Sequence, residues 1–308
     1  MMSFRNLDYI GKGKSMNKQG VLKRARKGIA GYLFILFPLA LLLTFNIIPM
    51  LFGFGMSFTE WNGIQPAKFI GLDNYKKIFT NDSVFNTAFL NTIKFSITSV
   101  VGGITIAFIL AILIDRITRF QAFFRVSYFL PVVTPMVVVA LIWTLIYQDK
   151  GLLNYILSIV GLDSVGWLTD RKIAMYSVVV TSIWQGMGFS MIIFLAALQG
   201  IPNHLYEAAK MDGANFFQQV RHVTIPGLKN TFAFLAVYGT IGGFQVFDQI
   251  YVMTGGGPVN STQTIVYWIY SNFKQLNLGY SSALSYVFFM ILLIISIIQL
   301  KIFQKNNY

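Results

Sequence analysis

The chain has 308 residues, of which 55% are hydrophobic and only 11% are charged, and its mean hydropathy is +0.62. This composition is too apolar for a soluble domain of the same length and indicates a polytopic membrane protein. The net charge of +13 could suggest nucleic-acid binding, but the basic residues lie in segments that flank apolar stretches, which favours a role in topology. Because the sequence contains no cysteine, disulfide bonds and cysteine-ligated metal sites are excluded.

Six apolar segments carry few or no charges and reach the length of about 20 residues that a membrane-spanning helix needs. In chain order they are Ile29–Phe58, Phe95–Ile114, Val126–Gln148, Ile173–Ile201, a segment that begins at Asn230, and Gln275–Leu300. The first segment is too long for the core of a cleavable signal peptide, so we expect it to be retained. The predicted fold class is therefore all-α, a polytopic membrane protein with six transmembrane helices.

The lysines and arginines predict the orientation of these spans, because basic loops resist translocation and remain in the cytoplasm. With both termini in the cytoplasm, sixteen basic residues lie inside, against eight outside or at the outer ends of the spans. We therefore predict a basic cytoplasmic tail over residues 1–27, a transmembrane domain over residues 28–305 and a short tail over residues 306–308. The polar stretch between the fourth and fifth spans then faces the cytoplasm.

Prolines and glycines predict where the spans bend and pack. Pro131 and Pro135 fall within the third span, and each removes a backbone donor, so a bent helix is expected there. Gly239 and Gly243 in the fifth span, with Gly242 beside them, have the G-x-x-x-G spacing that permits two helices to approach closely.

Polar and aromatic residues in the fourth and fifth spans form a candidate solute pathway. These residues are Trp184, Gln185, Gly186, Phe189, Gln245 and Asp248. Aromatic faces beside amides and a carboxylate suit a polyhydroxylated ligand, because a sugar presents both apolar C–H faces and hydroxyl groups. Hydrogen bonding between neighbouring helices is the alternative explanation, and Asp248 also fits a carboxylate that reaches interfacial water.

The polar stretch between the fourth and fifth spans has the signals of two short helices. Pro202 is expected in the first turn of one helix, and Gly213 supplies the backbone freedom for a sharp turn after it. Asn215 with Gln218 predicts an N-terminal cap for the second helix, which Pro226 is expected to end. Both helices are amphipathic, so they either cover the base of the protein's own helices or contact a partner. Their apolar residues are Leu205, Ala208, Ala209 and Met211 in the first helix and Phe216, Val220 and Val223 in the second.

This stretch resembles the EAA motif of permease subunits in binding-protein-dependent ATP-binding-cassette (ABC) importers. The matching residues are Glu207, Ala208, Ala209, Asp212, Gly213, Ala214, Ile225 and Pro226. Four more segments resemble the carbohydrate-uptake branch, which includes maltose, lactose and glycerol-phosphate permeases. They are FIGLDNYKKIF from Phe69, FLPVVTPMVVVALIW from Phe129, GLLN from Gly151 and TGGGP from Thr254. The chain departs from the commoner family pattern at Asn215 and Gly227.

The resemblance implies the MetI-like fold of ABC importer transmembrane domains and a role in the uptake of a sugar or oligosaccharide. Residues 201–225 would contain the coupling helices, in which Glu207 contacts a cytoplasmic ATPase, Ala208 and Ala209 permit close approach, and Gly213 holds the bend. The implied partners are a second permease subunit, two ATPase subunits that bind ATP and Mg, and an extracytoplasmic solute-binding protein. No cofactor or metal is expected in this chain.

The resemblance also implies a place for the chain, in a bacterial cell membrane. We expect three outer loops to form the dock for the binding protein. These loops are Trp61–Asn81, Asp149–Lys172 and Thr254–Leu278.

The alternatives belong to other classes of protein. The GKS sequence at residues 13–15 resembles the end of a phosphate-binding loop, but Asp8 replaces the first glycine of that motif, so the chain is not expected to hydrolyse ATP. A non-sugar solute such as glycerol phosphate is an alternative substrate. An ion-coupled secondary transporter would have to rely on Asp248, and a membrane enzyme is disfavoured because His204 and His222 form no catalytic motif.

Overall fold

The computed structural model describes residues 34–117 and 119–305. The predicted tails at residues 1–27 and 306–308, the GKS sequence and the beginning of the first predicted span lie outside the described residues. The chain divides into two compact units, with the boundary after Gly55.

The described part of the first unit is helical. Helix α1, Phe34–Met56, ends just inside the second unit and contains a π-helical turn at Leu43–Ile47. Pro49 follows this turn closely, and because proline has no backbone N–H it cannot donate the regular hydrogen bond to the turn before it. The widened turn therefore has a local cause in the sequence, and the first predicted span is a helix from Phe34 onward.

The second unit contains one short hairpin and the other helices. Strand β1, Thr59–Glu60, pairs antiparallel with β2, Lys68–Phe69. The helices are α2 Asp73–Thr80, α3 Ser83–Asp115, α4 Gln121–Val133, α5 Met136–Ile146, α6 Leu152–Ile159, α7 Ala174–Leu198, α8 Asn203–Met211, α9 Phe216–Gln219, α10 Ile225–Gly227, α11 Lys229–Phe244, α12 Ile265–Lys274 and α13 Leu278–Lys305. Two further π-helical turns lie at Val220–Thr224 and Ile250–Thr254.

Four helices of the described residues are long and apolar enough to cross a membrane, namely α1, α3, α7 and α13, and the bent pair α4 and α5 makes a fifth candidate. The second predicted span is longer than expected, because α3 begins at Ser83 rather than at Phe95. The Asp82 carboxylate caps it by accepting a hydrogen bond of 2.8 Å from the backbone N–H of Phe85.

The third predicted span is broken, as its prolines indicated. Helices α4 and α5 meet at an angle of 98°. Thr134, which precedes Pro135, has an extended backbone with a ψ of 130°. A residue before proline is driven out of the helical region by the proline ring, so the break falls where the sequence requires it.

The fifth predicted span is only partly a regular helix. Helix α11 has 16 residues, fewer than a straight span needs, and it ends at Phe244, directly after Gly242 and Gly243. Glycine is a poor helix former, and two in succession weaken the last turn. The chain then makes a short irregular turn before the π-helical turn at Ile250–Thr254.

Helices α3, α7 and α11 form the centre of the second unit. Ala107 of α3, Phe194 of α7 and Leu235 of α11 are buried in one cluster. Glycines permit the close contacts: a Cβ atom on Gly243 would lie 3.0 Å from Cα of Ser96 on α3, and one on Gly239 would lie 3.2 Å from a methyl carbon of Val100. The predicted tight packing at the G-x-x-x-G pair is confirmed, and it fixes α11 against α3.

Candidate functional site

The first candidate region is the polar segment, defined as residues 201–227. Helix α8 ends at Met211, and Gly213 follows with a φ of +78°, in the left-handed region that favours glycine. The backbone N–H of Ala214 donates to the carbonyl of Ala209 over 2.9 Å, which closes the end of the helix. The predicted sharp turn at Gly213 is therefore confirmed.

The cap of the second helix is also confirmed. Asn215 Oδ1 accepts a hydrogen bond of 3.0 Å from the backbone N–H of Gln218, and Gln218 Oε1 accepts one of 2.7 Å from the backbone N–H of Asn215. This reciprocal pair satisfies two backbone donors that the helix itself leaves unpaired.

The two prolines of the polar segment lie differently from the prediction. Pro202 stands just before α8, as its N-cap, rather than in the first turn. Pro226 does not end the second helix, because α9 continues through the π-helical turn into α10, and the chain turns at Leu228 instead. Pro202 costs its helix little, because the first N–H groups of a helix have no partner within it.

The polar segment has an inner and an outer face. On the inner face Phe216, Val220 and Val223 are half-buried, which matches the predicted apolar face of the second helix. The outer face exposes large apolar side chains, with Met211 83% exposed and Phe217 79% exposed. Of the six residues predicted to couple to an ATPase, four are exposed and two, Ala209 and Ala214, are half-buried. The four are Glu207, Ala208, Asp212 and Gly213.

The polar segment contacts the end of α3. The guanidinium of Arg116 lies 3.6 Å from the centre of the Phe216 ring, a cation–π contact. Within the segment, the hydroxyls of Tyr206 and Thr224 are 3.1 Å apart. A cavity of about 540 Å³ lies beside these contacts, bounded by the ends of α3 and α7 and by the polar segment. The polar segment therefore contacts α3 in addition to α7 and α11, the two helices to which the chain joins it.

The second candidate region is the pathway cavity, a space of about 390 Å³ between α3, α7, α11 and the turn after α11. Gln185, Gly186 and Phe189 line it, so half of the predicted pathway residues are brought together. The ring of Phe189 lies 5.1 Å from that of Tyr238, which also lines the cavity. The cavity thus combines aromatic faces with polar groups.

The other three predicted pathway residues do not line this cavity. Trp184 points away from it and packs edge-on against Trp143, with the ring centres 5.7 Å apart. Successive residues of a helix differ in direction by about 100°, and the direction of Trp184 takes its ring toward Trp143 of α5. Gln245 is exposed directly after the end of α11, and Asp248 is exposed in the helical turn that leads into Ile250–Thr254. The prediction assumed that the fifth span continues as a helix, and the break at Phe244 changes their direction.

Sequence reasoning missed several polar residues of the cavity. They are Ser99, Ser182, Ser190, Tyr238 and Gln249. Gln249 Nε2 donates to Ser182 Oγ over 3.1 Å and joins the turn after α11 to α7. Serine and tyrosine are common in apolar helices, so their presence alone gave no signal. The amide of Gln249, next to Asp248 in the sequence, was the one residue of this set that the sequence could have indicated as part of the cavity.

The motifs of the three predicted docking loops serve to hold those loops in place. Asn154 of the GLLN sequence accepts hydrogen bonds at Oδ1 from the Val165 backbone N–H and from Trp167 Nε1, over 2.9 and 3.0 Å. Asn74 Nδ2 donates to the carbonyls of Ser57 and Thr59, each over 2.9 Å. Both asparagines are buried, so these contacts replace lost water contacts and fix the loop backbone.

The TGGGP sequence has a similar structural explanation. Gly256 has a φ of +82°, and a Cβ atom there would lie 2.1 Å from Oε1 of Gln263. The loop is also tied to α3, because Asn91 Nδ2 donates to the carbonyls of Asn260 and Gln263 over 2.8 and 3.0 Å. Glycine is required at position 256 by both backbone angle and space.

Comparisons with known proteins match this chain over most of its length. A family model described as the binding-protein-dependent transport system inner membrane component matches residues 103–305. The chain is 39% identical over 290 residues to the probable ABC transporter permease protein YurN of Bacillus subtilis, covering 91% of this chain and 97% of the relative. It is 36% identical over 247 residues to the arabinooligosaccharides transport system permease protein AraP of Halalkalibacterium halodurans, covering 78% of each.

A solved structure is similar as well. It is that of a bacterial alginate ABC transporter in complex with an alginate pentasaccharide-bound periplasmic protein, and the match has a TM-score of 0.78 at 26% identity. It covers 90% of this chain and 94% of that chain. The range matched by the family model includes the polar segment and most residues of the pathway cavity.

Proposed function

Since this chain belongs to the family of inner-membrane components of binding-protein-dependent transport systems, we propose that it carries a sugar or oligosaccharide across the membrane in an ATP-driven importer. The observation that carries this proposal is the polar segment. A capped two-helix element exposes Met211 and Phe217 to solvent while its inner face packs toward α3. Exposed apolar patches of this kind mark surfaces that bind another protein.

The partner at this surface is an ATPase subunit. Glu207 makes polar contacts at the rim of the interface, and Ala208, Ala209 and Ala214 are small enough for close approach. Asp212 and Gly213 set the angle between the two helices. ATP and Mg bind to the ATPase subunits and not to this chain, which acts as a transport subunit without hydrolysing ATP.

Movement then passes from the polar segment to the pathway cavity. Closure of the ATPase pair displaces the polar segment, and the contact between Phe216 and Arg116 transmits the displacement to α3. Helix α3 packs on both α7 and α11, which line the cavity. Rigid helices that move as a unit change access to the cavity from one side of the membrane to the other.

A sugar is the solute that the cavity fits best. Its volume of about 390 Å³ falls within the range of about 300–1,000 Å³ that is usual for small-molecule sites. Phe189 and Tyr238 offer ring faces to the C–H faces of a sugar, and Gln185 offers an amide to its hydroxyls. The relative AraP, named for arabinooligosaccharides, and the alginate transporter agree with this class of solute.

The cavity disfavours the two alternatives. Among the described residues, those that line it include no lysine or arginine, so a phosphate-bearing solute such as glycerol phosphate would find no cation there. Asp248, the carboxylate that an ion-coupled transporter would use, does not line the cavity either.

The complete complex contains a second permease, two ATPases and an extracytoplasmic binding protein, in a bacterial cell membrane. Both termini and the polar segment are cytoplasmic, because the basic residues concentrate on that side. The binding protein docks on the three outer loops, whose backbones are fixed by Asn74, Asn154 and Asn91.

The proposal is tested by Gly213→Val in the reconstituted complex. A β-branched side chain at a φ of +78° strains the backbone by about 1–2 kcal/mol, so the angle between the two helices changes. We expect ATP-driven sugar uptake to fall at least about tenfold. The ATPase subunits should still hydrolyse ATP, but the hydrolysis no longer drives uptake.

Gly213→Asn is the matched control. Asparagine adopts the left-handed conformation at low cost, because its short polar side chain can hydrogen-bond locally, and no neighbouring atom lies within 4 Å of a Cβ added at this position. This variant should retain uptake. Equal behaviour of the two variants, or an importer that runs on an ion gradient without ATP, would refute the proposed function.

A further inference from the structure

Four aromatic side chains form a patch that neither the cavity nor the coupling mechanism uses. The aromatic patch consists of Phe247, Tyr251, Tyr267 and Tyr270. The Phe247 ring lies 5.5 Å from Tyr251 and 5.1 Å from Tyr270, and the rings of Tyr251 and Tyr270 are 5.4 Å apart. Tyr251 is 46% exposed, and the other three are half-buried. The rings therefore pack against one another, and the patch that they form is partly exposed.

The patch lies next to the pathway cavity, toward its predicted outer side. It joins the turn after α11 to α12. Thr264, at the start of α12, donates from Oγ1 to the carbonyl of Val246 over 3.3 Å, and Val246 lines the cavity. From this level α12 runs along α3 toward Asp82, whose Oδ2 accepts a hydrogen bond of 2.8 Å from Trp268 Nε1. A solute entering from the Asp82 end of α3 would meet the patch before the cavity.

Lipid is a poor partner for this surface. The three phenol groups lie beside two exposed polar side chains, Gln245 and Asp248. A hydrogen bond with Tyr251 raises the pKa of the Tyr270 phenol and links the two hydroxyl groups. Placing a carboxylate, an amide and three hydroxyls in hydrocarbon is costly, which points to an aqueous or protein environment.

We propose that the aromatic patch, with Gln245 and Asp248, is a sugar-binding surface at the outer approach to the pathway cavity. This inference rests on the proposed function and adds a second contact site to it. Tyr251 and Tyr270 stack against the C–H faces of a sugar unit, and the amide and carboxylate bind its hydroxyls. A site outside the cavity suits a solute of more than one sugar unit, because neighbouring units occupy the patch and the cavity at the same time.

The test uses the whole complex, with its binding protein, reconstituted in vesicles. The probes are radiolabelled maltose, lactose, arabinotriose and maltotetraose, supplied at saturating binding protein. Tyr251→Ala combined with Tyr270→Ala should lower uptake of the carried oligosaccharide about tenfold, since an aromatic contact contributes up to roughly a factor of ten. Tyr251→Phe combined with Tyr270→Phe keeps the rings and should retain most of the uptake. Tyr176→Ala, at a tyrosine that is 48% exposed near the predicted outer end of α7 and outside the three docking loops, is the control and should be unchanged.

Three results would overturn the proposal. The first is unchanged uptake and unchanged sugar preference in the double alanine variant. The second is loss of the second permease from the purified variant complex, which would identify the patch as a subunit interface. The third is an equal loss in Tyr176→Ala, which would indicate a general effect of removing outer tyrosines. Failure of the proposed function is distinct, because then the unaltered complex would take up none of the sugars.

Discussion

The polar segment and the pathway cavity differ in how the sequence builds them. The polar segment is encoded locally, since the turn at Gly213 and the cap formed by Asn215 and Gln218 each arise within a few residues of chain. The cavity is assembled from α3, α7, α11 and the turn after it. A local signal is therefore a good guide to a coupling surface, whereas a pathway depends on how distant helices rotate against one another.

The largest expected effect is a loss of thermal stability when the packing of α7 against α4, beside the cavity, is disturbed. Gly188 of α7 packs against α4 so closely that an added Cβ would lie 2.0 Å from the carbonyl oxygen of Tyr128. Overpacking of this kind costs about 1–3 kcal/mol, so Gly188→Ala should lower the Tm of the purified complex by several degrees. Gly186→Ala is the matched control, because no atom lies within 4 Å of a Cβ at that position. If both variants melted at the same temperature, the described contact between α7 and α4 would be wrong.

The next largest effect is a loss of coupling between ATP hydrolysis and uptake when the contact between α3 and the polar segment is removed. Arg116→Leu removes the cation–π contact with Phe216, a contact worth about 0.5–2 kcal/mol. We expect fewer sugars to be taken up per ATP hydrolysed, by a few fold, with the amount of bound ATPase unchanged. Arg119→Leu, three residues along the same loop, is the control. A normal ratio of uptake to hydrolysis in Arg116→Leu would show that motion reaches the cavity by another route.

The smallest effect concerns a hydrogen bond inside the cavity. Gln249→Leu removes the donor to Ser182, and a single neutral hydrogen bond contributes about 0.5–1.5 kcal/mol. We expect a reduction in uptake of roughly threefold to tenfold, measured at saturating binding protein, and a loss of stability no larger than the contribution of this hydrogen bond. Gln199→Leu, at an exposed amide beyond the end of α7, should have no such effect. Equal uptake in the two variants would remove Gln249 from the pathway.

The fold was predicted where one stretch of sequence determines its own conformation. The apolar runs identified the long helices, and Pro135 identified the break between α4 and α5. The start of α3 was missed because Asp82, a capping residue, lies far upstream of the apolar run that defined the predicted span. The length of the fifth span was overestimated because hydropathy does not register the helix-weakening effect of Gly242 and Gly243.

The candidate site was predicted less completely for a related physical reason. Gln185 and Phe189 are four residues apart and share a helix face, so a helical pattern places them together. Trp184 lies on another face, and the direction of Gln245 depends on the end of α11, which two glycines weaken and the packing against α3 fixes. Residues such as Ser99 and Tyr238 enter the cavity from separate helices, and single-sequence patterns contain no information on that pairing.

The most direct test of the central claim is a crosslink from the polar segment. Because the chain has no cysteine of its own, Met211→Cys and Val223→Cys each introduce a single reactive thiol. Met211 is on the exposed outer face and Val223 on the half-buried inner face. Each variant is labelled in membranes with a photoreactive maleimide, and the captured protein is identified by mass spectrometry. The account predicts that the thiol at 211 captures the ATPase subunit and that the thiol at 223 captures only this chain. No ATPase captured from position 211, with uptake still intact, would contradict it.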